Sequence, residues 1–185
     1  MELGDSKRTW HRWGEPAAVG LNLAYTIGYQ FQSNWTFESA GLGSILFMLI
    51  CWQRALKAEA LLWLFYVGMA IYGTTKVEAG WPDPLPVAPL YEHLISLAIG
   101  SVIWAGLTIF LRQKSWKPSL DSFTTAGSLV ATYWMLEFVH ANWLYWIVIN
   151  AAATWLYVSR KLYWGAGLFV VYTLLALNGW FGWVA

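Results

Sequence analysis

The sequence predicts an all-α integral membrane protein with seven transmembrane helices. Of its 185 residues, 58 % are hydrophobic and only 11 % are charged, whereas about a quarter of the residues of a soluble domain are charged. The mean hydropathy is +0.47. Apolar runs long enough to cross a bilayer recur along the chain, separated by short polar connections. These observations predict a chain with little mass outside the membrane.

The apolar runs give the order of the elements. The predicted spans lie near 16–32, 36–53, 58–75, 91–112, 119–138, 141–159 and 163–184. The first is the least apolar, because Asn22, Thr26 and Gln30 interrupt it. The longest connection contains GWPDPLP, and its prolines exclude a long helix there. Residues 1–14 are polar and are expected to form a cytoplasmic N-terminal segment.

The distribution of lysine and arginine predicts how the helices are oriented. Ten of the eleven basic residues fall in the N-terminal segment or in the connections after the second, fourth and sixth spans: Lys7, Arg8, Arg12, Arg54, Lys57, Arg112, Lys114, Lys117, Arg160 and Lys161. Only Lys76 falls on the other side. Because positively charged connections stay in the cytoplasm, the N-terminus is predicted inside and the C-terminus outside. Basic and non-basic connections thus alternate along the chain. This alternation also supports seven spans, since a missed or added span would place basic residues on both sides of the membrane.

An internal repeat relates the first three spans to the last three. An offset of 106 residues pairs Ala60 with Ala166, Tyr66 with Tyr172 and Gly73 with Gly179, and it places Phe37, Ala40 and Ser44 under Trp143, Trp146 and Asn150. Three spans are an odd number, so two units in direct succession would point in opposite directions. The extra span at 91–112 restores a parallel relation. The sequence therefore predicts a 3+1+3 parallel-repeat arrangement, with repeats at 15–75 and 119–185 and a loop and linker helix at 76–118.

The strongest candidate for a binding site is one face of the sixth span. Trp143, Trp146 and Asn150 recur at i, i+3 and i+7, which places them on one side of a helix. The indoles could stack on a flat ligand, and the amide could bind a polar edge. The alternative is that both indoles belong to an interfacial aromatic belt and that Asn150 forms a helix contact.

Other polar residues near the spans extend this candidate site. Tyr66, Tyr172, Asn178 and Thr132 lie mid-span, where each could line a cleft or join two helices. Ser44 is the repeat equivalent of Asn150. Glu38 and Glu137 lie toward the predicted outside and could attract a cation, or could be hydrated at helix ends.

Several classes of function are disfavoured. A net charge of +1 predicts no nucleic-acid partner, and no phosphate-binding loop motif is present. Glu137 and His140 have the spacing of a di-iron ligand pair, but the sequence has only three histidines and no second pair. No His–Asp set could activate a serine at membrane depth. We therefore expect no catalytic residue, metal or cofactor. His93, beside Glu92, is expected to cap a helix or face solvent.

The chain resembles the Pnu family of bacterial vitamin transporters, and the resemblance is most specific in its second half. The resemblance lies in the Trp143-x-x-Trp146-x-x-x-Asn150 spacing, the Y-x-S-R-K-L-Y turn, the closing G-W-x-x-W element and the SFTTAGSLVATYWM stretch after Asp121. It covers residues 15–185. It implies a fold like a full-length SWEET transporter with parallel 3+1+3 halves. It also implies facilitated diffusion, made one-way when a cytosolic kinase phosphorylates the vitamin.

The first half departs from the family pattern. Where relatives carry a Trp-Asn-Trp-Pro-x-Gly element, this chain has TFESAG, with Glu38 and Gly41. The third span ends in YGTT instead of Tyr-Gly-Trp, and Thr132 stands where Gln is frequent. These changes lie near the expected site, and family members also carry thiamine or riboflavin. The resemblance thus implies transport and leaves the substrate open.

The expected function is uptake of a cationic aromatic vitamin across a bacterial cytoplasmic (inner) membrane. Nicotinamide riboside is the family default, and a thiamine-specific transporter is the alternative. The expected partners are the vitamin, the lipid bilayer and, without direct contact, the trapping kinase; a homo-oligomer is left open. The competing class is a non-transporting membrane receptor or assembly subunit, in which the indoles serve as belt and packing residues.

Overall fold

Seven α-helices form the described part of the chain. The computed structural model describes residues 3–53, 57–113, 117–161 and 163–182, without the side chains of 3–13, 57–59 and 164. The helices are α1 (Leu3–Gln30), α2 (Thr36–Gln53), α3 (Lys57–Glu78), α4 (Leu90–Leu111), α5 (Pro118–Leu136), α6 (Asn142–Ser159) and α7 (Tyr163–Phe181). Six of them begin and end within three residues of the predicted spans. Arg54, Lys114 and the tryptophan that closes the G-W-x-x-W element lie outside the described residues.

The start of α1 differs from the prediction. The helix begins at Leu3, so it includes most of the polar segment 1–14, and Pro16 lies inside it. Hydropathy marks where a helix becomes apolar, whereas Glu, Lys and Arg are themselves good helix formers. The sequence therefore indicates where the apolar part of α1 begins, but not where the helix itself begins.

Outward-facing apolar side chains are consistent with a lipid environment. Ala60–Glu78 and Leu90–Leu111 are long and apolar enough to span a membrane, and Gly165–Phe181 is a shorter apolar helix. Gly100 is the one buried residue of α4, and Val102 and Ile109 are 73 % and 76 % exposed. A continuous apolar surface of this kind would be unfavourable in water.

The helices group into two compact units, residues 1–81 and 82–185. In the first unit α2 packs against α1 and α3. In the second unit α6 packs against α5 and α7, and α4 packs against α5. The expected linker helix thus belongs to the second unit. The finer division into 15–75, 76–118 and 119–185, and the parallel relation of the repeats, remain predictions.

A matching helix end occurs in both units. Gln32, after α1, has φ = 50°, and Phe138, at the equivalent position after α5, has φ = 56°. The amide of Gln32 donates to the carbonyl of Tyr29, and the amide of Ser33 donates to that of Gly28. Phe138 and the residue after it make the same two bonds, to Met135 O and Trp134 O. This is the Schellman pattern that ends a helix.

The next helix also begins in the same way in both units. The amide N–H of Thr36 donates to Ser33 O, and its hydroxyl donates to the same carbonyl. Asn142 uses its amide N–H and its side-chain Nδ2 to donate to Val139 O. Both pairs are related by the 106-residue offset. These matched hydrogen bonds support the internal repeat inferred from the sequence.

A close contact between an aromatic ring and a glycine is repeated as well. A Cβ built on Gly73 of α3 would overlap the ring of Phe37 of α2. A Cβ built on Gly179 of α7 would overlap the indole of Trp143 of α6. Buried alanines accompany both contacts at equivalent positions: Ala60, Ala70, Ala166 and Ala176. Small residues of this kind let membrane helices approach closely and gain van der Waals contact.

Candidate substrate-binding site

The predicted face of α6 is turned into the second unit. Trp143 and Asn150 are 5 % and 6 % exposed, and Trp146 is half-buried. Trp155, elsewhere on the same helix, is 65 % exposed. The two indoles and the amide therefore do not lie on the exposed surface of their unit, where belt residues would be.

Trp143 is a packing residue between two helices. Its indole lies against the backbone of α7 at Gly179 so closely that no side chain would fit there. Gly179 directly follows Asn178, another predicted site residue, which is half-buried. Trp143 therefore holds α6 close to α7 at Gly179. Only the part of its ring that does not pack on Gly179 could contact a ligand.

Trp146 has an unused hydrogen-bond donor. Its indole Nε1 is buried and has no partner, and the Oδ1 of Asn142 is in the same condition. Asn142 is 1 % exposed, and its Nδ2 is already used at the helix start. Asn142, Trp146 and Asn150 are spaced by four residues, so they lie in a row on one face of α6. This set of three residues is called the polar row. A buried donor and a buried acceptor without partners are rare in folded proteins and need an explanation.

Asn142 was not among the predicted site residues. It stands at the first position of α6, where it marks the start of the apolar stretch. The signal that could have identified it is the four-residue spacing from Trp146, the same spacing that separates Trp146 from Asn150.

The remaining predicted residues of the second unit lie on α5 and α7. Thr132 of α5 is 8 % exposed. Tyr172 of α7 is half-buried, and its ring centroid lies 6.3 Å from that of Phe169. Glu137 is the half-buried C-cap residue of α5. Since α5 and α7 both pack against α6, these side chains belong to the helices that flank the polar row.

Three predicted residues lie in the first unit. Ser44 of α2 is 3 % exposed, and Glu38, in the first turn of the same helix, is exposed. Tyr66 of α3 is half-buried, with its ring centroid 5.6 Å from that of Trp63. Ser44 thus matches its repeat partner Asn150 in burial.

The Glu137–His140 pair has a structural explanation. The ring of His140 stacks on Trp180 with centroids 4.9 Å apart, and its Nε2 lies 3.2 Å from the Trp180 carbonyl oxygen. Within the described ranges no group of three or more His, Cys, Asp or Glu side chains could hold a metal ion. His140 therefore attaches the start of α6 to the end of α7.

The prediction for His93 was wrong. Its Nδ1 lies 2.9 Å from the hydroxyl of Tyr145 on α6, and its ring centroid lies 4.5 Å from that of Trp134 on α5. Trp134 Nε1 in turn donates to Ser96 Oγ at 3.0 Å. These bonds join α4 to α5 and α6. Sequence position alone suggested a solvated helix start, because the polar partners come from residues far along the chain.

Comparison with known proteins places the chain in the class of multi-pass membrane transporters, not enzymes. The profile of the family described as "Nicotinamide mononucleotide transporter" matches residues 12–185, and the chain belongs to this family. It is 27 % identical over 171 residues to the nicotinamide riboside transporter PnuC of Escherichia coli K12, covering 75 % of this chain and 71 % of the relative. The PnuC protein of Shigella flexneri gives the same values.

A solved structure shares the fold. The crystal structure of the vitamin B3 transporter PnuC superposes with a TM-score of 0.72 at 19 % sequence identity, covering 92 % of this chain and 80 % of the other. The seven-helix all-α architecture predicted from the sequence is thereby confirmed.

Proposed function

We propose that this protein carries a cationic aromatic vitamin across a bacterial cytoplasmic membrane, with nicotinamide riboside as its substrate. Membership of the transporter family supports transport, and the PnuC relatives, which are nicotinamide riboside transporters, support this substrate. The observation in the molecule that carries the proposal is the buried, unpartnered indole N–H of Trp146. A buried donor without a partner costs about 1–3 kcal/mol, and a ligand that accepts its hydrogen bond would offset that cost.

The polar row of α6 suits the edge of a nicotinamide ring. A carboxamide has a carbonyl oxygen that accepts and an amino group that donates. The first matches Trp146 Nε1 and the second matches the Asn142 Oδ1. Asn150 supplies a further amide one turn along the helix. Indole faces also attract cations such as a pyridinium ring.

Thiamine is the alternative substrate within the same site. Its aminopyrimidine likewise presents a donor beside an acceptor, and its thiazolium carries a fixed charge. Glu38 and Glu137 would attract either cation. Thr132, Tyr172 and Asn178 of the second unit, and Tyr66 and Ser44 of the first, are the other side chains that would contact the substrate during transport.

The transport cycle that we propose needs no energy source in the protein. The vitamin would diffuse across a protein built of 3+1+3 repeats, and a cytosolic kinase would prevent its return by phosphorylating it. The N-terminus would lie in the cytoplasm and the C-terminus outside. The repeated helix ends and ring–glycine contacts support the repeats, and the distribution of basic residues supports the orientation.

The first experiment compares substrates on the purified protein. Isothermal titration with nicotinamide riboside, thiamine and riboflavin should give the tightest binding with nicotinamide riboside. Tighter binding of thiamine would transfer the assignment to the alternative. Binding of none of them, by protein that elutes as a single species, would contradict the proposal.

Matched variants then locate the site. Asn150→Leu keeps the volume of the side chain but removes a donor and an acceptor, so it should weaken binding by about 5- to 150-fold. Leu144→Asn changes the same two residue types in the opposite direction at an exposed position of α6 and should leave affinity unchanged. If Asn150→Leu binds as wild type does, the substrate lies elsewhere.

A further inference from the structure

Two ring–glycine contacts fix the register of α6 against α7. At one end of the pair the indole of Trp143 lies on Gly179, and at the other end a Cβ built on Gly165 would overlap the ring of Tyr157. Residue numbers therefore rise along α6 in the direction in which they fall along α7, so the two helices are antiparallel. Residues halfway between the contacts on each helix must stand at the same level.

Asn150 and Tyr172 occupy these halfway positions. Asn150 is seven residues from each of the two rings on α6, and Tyr172 is seven residues from each of the two glycines on α7. Seven residues are nearly two helical turns, so both residues also lie on the sides of their helices that face each other. We propose that Tyr172, together with Asn150, binds the hydroxyl groups of a sugar attached to the vitamin ring and so selects a nucleoside. This sugar subsite rests on the proposed vitamin site at the polar row.

Neither of these polar groups is used within the described part of the protein. Asn150 is 6 % exposed, and its side-chain amide makes no hydrogen bond to any described residue. The hydroxyl of the half-buried Tyr172 makes none either. Buried polar groups normally have partners. An amide and a phenol can both donate and accept hydrogen bonds, which is what the hydroxyl groups of a sugar require.

No charged side chain of α5, α6 or α7 lies at this level. Neither α6 nor α7 contains Asp, Glu, Lys or Arg, and Asp121, the one acidic residue within α5, lies in its first turn. A phosphate at this level would lose water without gaining a counter-charge from these helices. A neutral hydroxyl would exchange water for the amide and the phenol. The subsite therefore suits an unphosphorylated sugar.

The polar row also gives the subsite a suitable position. Trp146 precedes Asn150 by four residues, about 6 Å along the helix axis. Around the helix it lies about 60° from Trp143, which faces α7, and about 60° from Ile149, which a Cβ built on Gly127 of α5 would meet. Within the described residues α5 does not pack against α7, so the row faces the space between them. A nicotinamide riboside lying along the row would reach Asn150 with its ribose when its carboxamide is bound at Trp146.

Calorimetric titration of the purified full-length protein with nicotinamide riboside and 1-methylnicotinamide tests the subsite. Both ligands have the same cationic ring and carboxamide, but the second has a methyl group in place of the ribose. Wild type should bind nicotinamide riboside more tightly. Tyr172→Phe keeps the ring but removes the hydroxyl, so it should weaken the binding of nicotinamide riboside by about 5- to 10-fold and leave that of 1-methylnicotinamide unchanged. Asn150→Leu should likewise affect nicotinamide riboside more.

Two further variants are the controls. Tyr163→Phe removes a hydroxyl from the same helix at a position that is 66 % exposed, and it should change neither affinity. Trp146→Phe should weaken both ligands, because it acts on the ring and carboxamide that they share. Equal affinity of wild type for the two ligands would overturn the sugar subsite and leave the proposed function standing. So would an equal effect of Tyr172→Phe on both ligands, or no effect on either. Binding of neither ligand by wild type would contradict the proposed function itself.

Discussion

Trp146 combines two properties that a residue chosen for packing would not have. It is partly buried, yet its indole Nε1 is enclosed without a hydrogen-bond partner. Such a group lowers the stability of the empty protein, and natural proteins keep such groups mainly where function requires them. Removal of this N–H should therefore affect the affinity of the protein for its ligand much more than its stability.

We predict that Trp146→Phe separates these two effects. Loss of the unpartnered N–H should offset part of the packing lost with the smaller ring, so the ligand-free midpoint of thermal unfolding should change little. Binding of nicotinamide riboside should weaken by about 5- to 150-fold, because a hydrogen bond and part of the ring contact are lost. Differential scanning fluorimetry and calorimetric titration measure the two quantities.

Trp155→Phe provides the comparison on the same helix, since Trp155 is 65 % exposed. It should leave the affinity unchanged. If Trp146→Phe strongly lowers thermal stability and leaves affinity intact, Trp146 is a packing residue and the polar row of α6 is not the substrate site.

For single residues, the sequence predicted which face of a helix a side chain occupies better than it predicted which residues that side chain contacts. The spacing of Trp143, Trp146 and Asn150 predicted that they share one face of a helix, and the structure shows that this face is turned into the second unit. It could not show that Trp143 lies on Gly179, because that contact joins two helices through a residue with no side chain. For the same reason the partners of His93, on α5 and α6, could not be read from its neighbours in the sequence.

At the scale of elements, the two equivalent helix ends make a test possible. Gln32 and Phe138 both adopt a left-handed conformation that costs a non-glycine residue about 1–2 kcal/mol. Gln32 is exposed, so Gln32→Gly should raise the thermal unfolding midpoint. Phe138 is 5 % exposed, so Phe138→Gly should lower it, because the loss of a buried ring outweighs the relief of strain. A decrease in Gln32→Gly would contradict the helix end described here.

The ring–glycine contacts predict a second pattern. Gly73→Ala and Gly179→Ala should each lower the free energy of unfolding by about 1–3 kcal/mol, because the new Cβ overlaps an aromatic ring. Thermal unfolding in detergent measures the change.

Each helix contains its own control for this pattern. Gly68 of α3 and Gly167 of α7 have no atom within 4 Å of a built Cβ. Gly68→Ala and Gly167→Ala should therefore be neutral or stabilising by up to about 1 kcal/mol, since alanine favours the helix. Equal effects at all four positions would mean that the rings do not restrict the glycines.

Element boundaries were predictable because apolar length and helix length coincide in a membrane. The exception was α1, whose helix continues through polar residues. The helix ends after α1 and α5 were not predictable, since neither has the glycine that usually marks such an end. The 106-residue offset nevertheless pairs Gln32 with Phe138, although the two residue types have little in common.

For the whole molecule, the testable property is orientation in the membrane. An odd number of spans would place the termini on opposite sides, and the distribution of basic residues predicts that the N-terminus is inside. A reporter that is active only outside the cytoplasm should be active when fused after residue 80 or at the C-terminus. It should be silent when fused after residue 113. Activity at both 80 and 113, or at neither, would contradict the seven-span topology.

The unpartnered indole N–H of Trp146 also has a consequence for the amount of this transporter in a cell. A ligand that binds only the folded chain stabilises it by about 2.7 kcal/mol at a hundred times its dissociation constant. Differences of that size change the steady-state amount of a membrane protein, because unfolded copies are removed by proteases. If the vitamin satisfies Trp146, cells supplied with it should contain more of the carrier at the same level of transcription. The vitamin would then act as a pharmacological chaperone, because it would stabilise the transporter through which it enters the cell.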